Sequence, residues 1–508
     1  MTTLQNALDR LWSADDDANI VEFDGDWHQW REVRDLAECI DAALDAAGSG
    51  PGSRVAVVLG NRVESVAALL ALLRAGRTLV TLSPLQPPER LSADLRASAA
   101  RFVLAPADLW QHADFVTAVE ESQASAWSVD GAEMQLRHIG RPVSAPGNPD
   151  VLIEMLTSGT TGAPKRIPLT RSQVEASLGA ALRHNDRSPA SEKPALTGSV
   201  ALVTLPIVHI GGLWTLLQAL TAARPFVLLP RFSVDGWHQA VRQYRPKLVG
   251  LPPPAIRSVL DADIPREDLA SIRAINAGTS PVDPALVDEF YERYGIPILI
   301  VYGATEFTGA VAGWTLRDFR ARWHDKRGSV GRAFPGVGLR VVDNDGDEVP
   351  AGTPGRLHVA SAQAGASGDW VATSDLAHLD ADGFLYIDGR ADDVIIRGGF
   401  KIAPETVVKA LRTHPAVIDA AVAGLPDARL GHVPVAAVQL TSEAAVGAAD
   451  LERHCRASLT PYEIPTEIFV VDELPRSAAL KVDRRSLIEL LERRRALAAA
   501  DRITENGT

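Results

Sequence analysis

Several short stretches of this chain hold residue types that bind phosphate, a hard cation or a ribose. In Thr157-Ser158-Gly159-Thr160-Thr161-Gly162-Ala163-Pro164-Lys165, glycines and hydroxyl residues lead to a lysine. Glycines permit positive φ and let backbone N–H groups converge on an anion, while Lys165 adds a point charge. A Walker A loop needs glycine, lysine and Ser/Thr adjacent, with a helix following at once. Pro164 stands before the lysine here and would obstruct such a helix. Taken alone, the stretch also reads as a flexible Ser/Thr/Gly hairpin.

Tyr302-Gly303-Ala304-Thr305-Glu306 ends a predicted strand over 298–301. Ligands of open α/β sheets gather at the carboxyl ends of strands, where a hydroxyl can meet phosphate and a carboxylate Mg²⁺. Gly278, Thr279 and Ser280 follow another predicted strand; such small residues leave room for a flat base but are also ordinary turn chemistry. Asp375 and Arg390 flank a predicted hairpin, and such a pair can hold ribose hydroxyls and phosphate. Gly398 and Gly399 lie before Lys401, either as a tight turn or as room for a narrow ligand. Lys481 follows Pro475-Arg476-Ser477 near the chain's end.

The elements that must position these residues are legible in the pattern. Apolar runs at 54–60, 77–82, 101–105, 200–205, 225–229, 247–250, 271–276 and 298–302 read as strands. Helical segments at 64–75, 90–99, 213–223, 234–244 and 284–294 alternate with them, which is the signature of parallel α/β sheets. Glycine and proline then become frequent from 328 among short strands, indicating a small β-rich part over about 328–390. From 392 an α/β rhythm returns on a smaller scale, with strands at 394–397, 417–423, 433–440 and 466–471 and helices at 404–413 and 449–459. The expected division is therefore 1–390, a large domain of parallel α/β sheets plus the β-rich part, and 391–508, a smaller α+β domain. Asp392 sits where the composition changes and is a candidate hinge.

Lys+Arg total 51 and Asp+Glu 64, for a net charge of −13. That balance disfavours nucleic acid as a partner, because phosphate contacts need surplus cations. The N-terminus has no basic region followed by an apolar run, and the longest apolar stretch, 200–220, contains Pro206, His209 and two glycines. No membrane span and a cytoplasmic location are expected. Cys39 and Cys455 form no CxxC pair or zinc spacing and read as two buried, reduced thiols.

These motifs, in this order, resemble the adenylate-forming enzymes: acyl-CoA synthetases, firefly luciferase and the adenylation domains of peptide synthetases. The resemblance runs from about residue 20 to 490 and is nearest to a bacterial acyl-CoA synthetase. It implies that 157–165 holds phosphate, Thr305 meets the α-phosphate, Glu306 holds Mg²⁺, and Tyr302, Gly303 and 278–280 form the adenine slot. It gives Asp375 and Arg390 to the ribose, Asp392 to a hinge, and Gly398 and Gly399 to the pantetheine tunnel of coenzyme A. Lys401 would meet a coenzyme A phosphate or the hinge region, and Lys481 would be the catalytic lysine of a mobile C-terminal domain. Four positions depart from the family pattern: Arg166 and Ser374 where glycine is common, Arg171 where histidine is frequent, and Leu480 where glycine precedes the lysine.

The implied reaction is attack of a carboxylate on the α-phosphorus of ATP, giving an acyl-AMP and pyrophosphate, then transfer to coenzyme A. The segment 206–214 aligns with the family's acyl pocket. Amino-acid-activating members carry an aspartate there, whereas this chain offers Val208 and His209, so an α-amino acid is not expected. His209 would contact the acid or gate it, or simply pack. Gly211, Gly212, Gly303 and Gly309 are read as leaving volume for an apolar acid of medium or bulky size. Only 27 residues follow Lys481, so coenzyme A is expected as acceptor. The alternatives are a ligase charging a separate carrier protein and a non-catalytic nucleotide-binding homologue.

Overall fold

The computed structural model describes residues 4–141, 147–157, 165–184, 194–365, 369–391, 393–397, 400–427, 429–441, 446–477 and 480–505. The chain divides into two compact units. One takes in Met1–Ser158, Pro164–Gly338 and Ala360–Trp370; the other takes in Leu339–Val359 and Val371–Thr508.

The first unit carries a seven-stranded sheet in the order Glu133–His138, Ser125–Asp130, Phe102–Ala105, Arg54–Val58, Thr78–Leu82, Val151–Thr157, Lys165–Thr170. Its five inner strands run parallel, and each edge strand joins antiparallel. Arg54–Val58 and Thr78–Leu82 are nearly continuous apolar runs buried on both faces, as parallel strands covered by helices must be. The helix Val63–Ala75 between them is buried from Ser65 to Leu73 and stops at Gly76, whose φ of 68° closes the left-handed cap. A second sheet places Ala274–Ala277 parallel to Ile298–Ala304, which turns back antiparallel into Gly309–Gly313. A third pairs the hairpin Asn19–Phe23/Asp26–Gln29 with Phe226–Leu228 and Ala201–Val203.

The second unit holds the sheet Gly338–Val342, Gly355–Ala360, Trp370–Leu379, Leu385–Arg390. It also holds a sheet built on the long antiparallel pair Val417–Asp427/Gly431–Leu440. Side chains alternate across that pair. Ala420, Val422, Ala436 and Val438 pack with Val407, Leu411, Leu451 and Cys455 from the helices Pro404–Arg412 and Ala448–Cys455. Ala421, Ala423, Val435 and Ala437 pack with Leu487 and Leu491 of the last helix, Arg484–Glu505.

Both thiols were expected to be buried. Cys455 is, and burial pushes its thiol up to about 11. Cys39 is exposed: it falls on the solvent side of the helix Trp30–Ala46, whose buried stripe is Trp30, Val33, Leu36, Ala37, Ile40 and Leu44. Among the described residues, no helix is long and apolar enough to cross a membrane.

Candidate active site

In the first unit, Thr157 ends one strand and faces Lys165, which starts the next, across an antiparallel pair. The chain thus leaves and returns at one end of the seven-stranded sheet, with Lys165 exposed there. Ser158, Gly159, Thr160, Thr161 and Gly162 lie outside the described residues. Thr305 and Glu306 form a single 3₁₀ turn directly after Ile298–Ala304, and this turn touches the Lys165–Thr170 strand. Glu306 is exposed and Thr305 half-buried.

Gly278, Thr279 and Ser280 follow Ala274–Ala277, the neighbour of the strand that carries Tyr302. A side chain at Gly278 would come within 2.9 Å of the Val301 carbonyl, so the two strand ends approach as only glycine permits. Thr279 holds φ at 70°, a conformation that costs a β-branched residue of order 1–3 kcal/mol. Its hydroxyl is buried and, among the described residues, makes no hydrogen bond.

His209 caps the helix Ile210–Thr221 and is half-buried. The loop before it is held by Asn61, whose side-chain amide donates to the Leu205 (3.2 Å) and Leu229 (2.8 Å) carbonyls and accepts from the Ile207 N–H (2.8 Å). Sequence reading missed Asn61. Its signal was a lone asparagine directly after Gly60, where the strand 54–60 ends.

The four glycines read as pocket volume do not act alike. A Cβ on Gly303 would lie 2.1 Å from the Gly309 carbonyl oxygen, and one on Gly212 2.3 Å from the Pro206 carbonyl oxygen. Both admit backbone, not ligand. A Cβ on Gly211 would lie 3.2 Å from the side chains of both Leu205 and Thr279. Gly309 has φ of 124°, and a Cβ there would meet Ser177 at 3.2 Å and Trp214 at 3.4 Å. The space beside Gly309 is bounded by that indole, so the glycines leave less volume than their number implied.

In the second unit, Asp375 and Arg390 are directly opposed on the strands Trp370–Leu379 and Leu385–Arg390, and their side chains approach to 3.7 Å. Ser374 accepts a hydrogen bond from the Arg390 guanidinium, and its carbonyl accepts from the Ala391 N–H at 2.6 Å. Lys481 is exposed on a closed turn. The Ser477 N–H donates to the Lys481 carbonyl (2.7 Å), the Leu480 N–H donates to the Ser477 carbonyl (2.8 Å), and Arg476 pairs with Val482. Arg476 also reaches the Leu480 carbonyl (2.9 Å) and pairs with Asp419, which Arg412 grips as well. Asp392, Gly398 and Gly399, and the side chain of Lys401, lie outside the described residues.

Three of the departures find a physical reason here, and the fourth a position. Leu480 adopts φ of 59°, the left-handed conformation that glycine supplies without strain. Arg166 turns its guanidinium to the Thr81 (3.1 Å) and Asp94 (3.3 Å) carbonyls, tying its strand to Thr78–Leu82, two places away in the sheet, and to the helix Pro88–Ser98. Burial pulls that guanidinium below its ordinary value, opposed by Asp94 and Glu154. Ser374 orients Arg390. Arg171 opens the helix Arg171–His184, its N–H donating to the Asp150 carbonyl at 2.9 Å.

Glu306, an exposed carboxylate on a turn that touches the Lys165–Thr170 strand, fits Mg²⁺, which is commonly held by one or two carboxylates together with substrate phosphates. Among the described residues no cluster of three His, Cys, Asp or Glu forms a self-sufficient metal cage. The strained Thr279 with its unused hydroxyl fits a nucleotide against the strand ends.

The chain matches the model of the AMP-binding enzymes over residues 9–367 and that of the AMP-binding enzyme C-terminal domain over 408–481. It is 32% identical to an indoleacetate–CoA ligase of Aromatoleum aromaticum, covering 92% of this chain and 93% of that protein. It is 32% identical to a 2-succinylbenzoate–CoA ligase of Bacillus velezensis, covering 86% and 88%. Among solved structures, it resembles the o-succinylbenzoate CoA synthetase of Bacillus subtilis in complex with its acyl-adenylate intermediate (TM-score 0.77, 25% identity, 95% and 98% covered). ATP-bound MatB from Rhodopseudomonas palustris shares the fold at a TM-score of 0.81 and 23% identity, with 96% and 98% covered.

Proposed function

The chain belongs to the AMP-binding enzymes, and from that premise we propose that it is an AMP-forming ligase joining an apolar carboxylic acid to coenzyme A. ATP, Mg²⁺ and coenzyme A are its cofactors. The observation that carries this reading is Thr279: a strained residue with an unused buried hydroxyl, at paired strand ends next to the Thr305-Glu306 turn. Strain of that kind persists where a site requires it.

The acid is ionised at neutral pH and needs no general base. The barrier is repulsion between an anion and polyanionic ATP. Lys165 and Thr305 lower it by offering charge and a donor where the phosphates lie, and Lys481 by bridging the carboxylate and the α-phosphate. Glu306 would hold Mg²⁺, which supplies Lewis-acid neutralisation of the leaving pyrophosphate. Asp375 and Arg390 hold the ribose, and Tyr302 and 278–280 enclose the base. His209 and Trp214 face the acid. With Gly212 and Gly303 committed to backbone contact, the acid is of medium size, and aryl acids fit better than long chains.

Functionally the chain divides at Asp392 into a fixed part, 1–390, and a mobile part, 391–508, that serves adenylation through Lys481 and thioester formation through Gly398, Gly399 and Lys401. The enzyme acts in the cytoplasm. The test is pyrophosphate release with indoleacetate, 2-succinylbenzoate, 4-coumarate, benzoate and hexanoate, followed by thioester formation with free coenzyme A. Release with an aryl acid and a coenzyme A thioester are expected. No release with any acid would leave a nucleotide binder, and release without a coenzyme A thioester would leave a ligase for a carrier protein.

A further inference from the structure

The turn that bears Lys481 is anchored on both sides by ion pairs of different kinds. Upstream, Arg476 pairs with Asp419, a largely buried carboxylate (8% exposed) also held by Arg412. These partners all lie within the C-terminal sheet and its helices. Downstream, Arg484, three positions beyond the lysine, pairs with Asp393. Asp393 is the residue next to the candidate hinge. Its other carboxylate oxygen lies 4.0 Å from Arg390 Nε, and its N–H donates to the Arg390 carbonyl at 3.2 Å. One carboxylate thus stands between an arginine of the lysine-bearing arm and the arginine on the strand before the hinge.

We propose that Asp393 is a positioning residue for adenylation, holding Lys481 in the orientation that reaches the α-phosphate and answering to whether Arg390 is engaged by nucleotide. The inference rests on the reading of Lys481 as the adenylation lysine. One carboxylate cannot satisfy two guanidinium groups equally in a fixed geometry. The Arg484 contact is the close one and the Arg390 contact the long one. When Arg390 turns to ribose or phosphate, its hold on Asp393 falls further and the carboxylate is left to Arg484, fixing the arm. Asp393 therefore acts through other side chains and touches no reacting atom.

The experiment measures two half-reactions in Asp393→Asn and Arg484→Gln: ATP–pyrophosphate exchange with the best acid of the panel, and conversion of the chemically prepared acyl adenylate to thioester with coenzyme A. Misorienting the lysine by about 1 Å costs about 10- to 100-fold. That loss is expected in exchange kcat, with the KM for ATP and the thioester half-reaction held within about threefold. The conservative Arg484→Lys, which keeps the charge facing Asp393, is expected to retain a large part of the exchange rate that Arg484→Gln loses. Equal losses in both half-reactions, unchanged exchange in Asp393→Asn and Arg484→Gln, or no better exchange in Arg484→Lys than in Arg484→Gln would each overturn the proposal while the wild type remains active. A wild type without exchange for any acid would overturn the ligase reading, and this inference with it.

Discussion

The strand ends of the first unit that lead into Gly278 and Thr305 and the lysine turn of the second are held in place by opposite means. At the strand ends the backbone itself is the fastener: Gly303 and Gly278 let neighbouring segments meet where no side chain fits, and Asn61 binds the 205–207 loop through two hydrogen bonds and the Leu229 carbonyl through a third. At the lysine turn the fasteners are charges: Arg476, Arg412 and Asp419 on one side, Arg484 and Asp393 on the other. Close backbone packing admits no intermediate position. Ion pairs are not bound to one backbone geometry, and the Arg484–Asp393 pair, partly exposed on both sides, can be exchanged at smaller cost than the more buried pairs of Asp419.

Gly303→Leu should break the first region outright, because the hairpin to Gly309 has no room for a Cβ. We expect a loss of more than about 3 kcal/mol or failure to fold, read by thermal melting. This replaces the expectation that Gly303 leaves volume for the acid. His209→Trp, in the segment aligned with the acyl pocket, should alter the ratio of kcat/KM among acids with little change in the KM for ATP.

Asp419→Ala should cost about 3 kcal/mol, because it leaves two arginines facing a vacated, largely buried position. Exchange activity should fall further than the thioester half-reaction, since Arg476, which holds the lysine turn through the Leu480 carbonyl, then loses its anchor on the sheet. Asn61→Ala should cost about 2 kcal/mol, from the unpaired Leu229 carbonyl and Ile207 N–H. Its signature is a raised KM for the acid, by contrast with Asp419→Ala. The smallest effect belongs to Leu480. Glycine there keeps the φ of 59° and should leave exchange within about threefold. Valine, β-branched at positive φ, should lower exchange by about tenfold. Equal behaviour of the two variants would show that the turn's conformation does not matter to the reaction.

The order of strands and helices was legible because apolar runs alternate with amphipathic segments. The helices 234–244 and 284–294 occur as read. The hairpins Asn19–Gln29 and Ser125–His138 were not resolved from the pattern; the exposed Glu133–His138 strand is mostly polar and carries no apolar alternation. The placement of Thr305 and Glu306 just after a strand end, and of Asp375 on a hairpin with Arg390, was legible in the pattern. The supporting residues were not. Asn61, Asp419 and Arg484 acquire their roles through contacts made 146, 57 and 91 positions away along the chain, and no local spacing encodes such partners. The glycines misled for a related reason: sequence reports a missing side chain but not whether backbone or ligand occupies the space.

The central claim is that Lys481 serves one half of the reaction and not the other. Purified Lys481→Ala should be assayed side by side with the wild type for ATP–pyrophosphate exchange and for thioester formation from supplied acyl adenylate and coenzyme A. Removing a charge that acts only on the transferring α-phosphate is expected to lower exchange by about 10²- to 10³-fold, with the thioester half-reaction within about threefold of wild type. Loss of both half-reactions to the same degree, in a variant that melts like the wild type, would contradict the account.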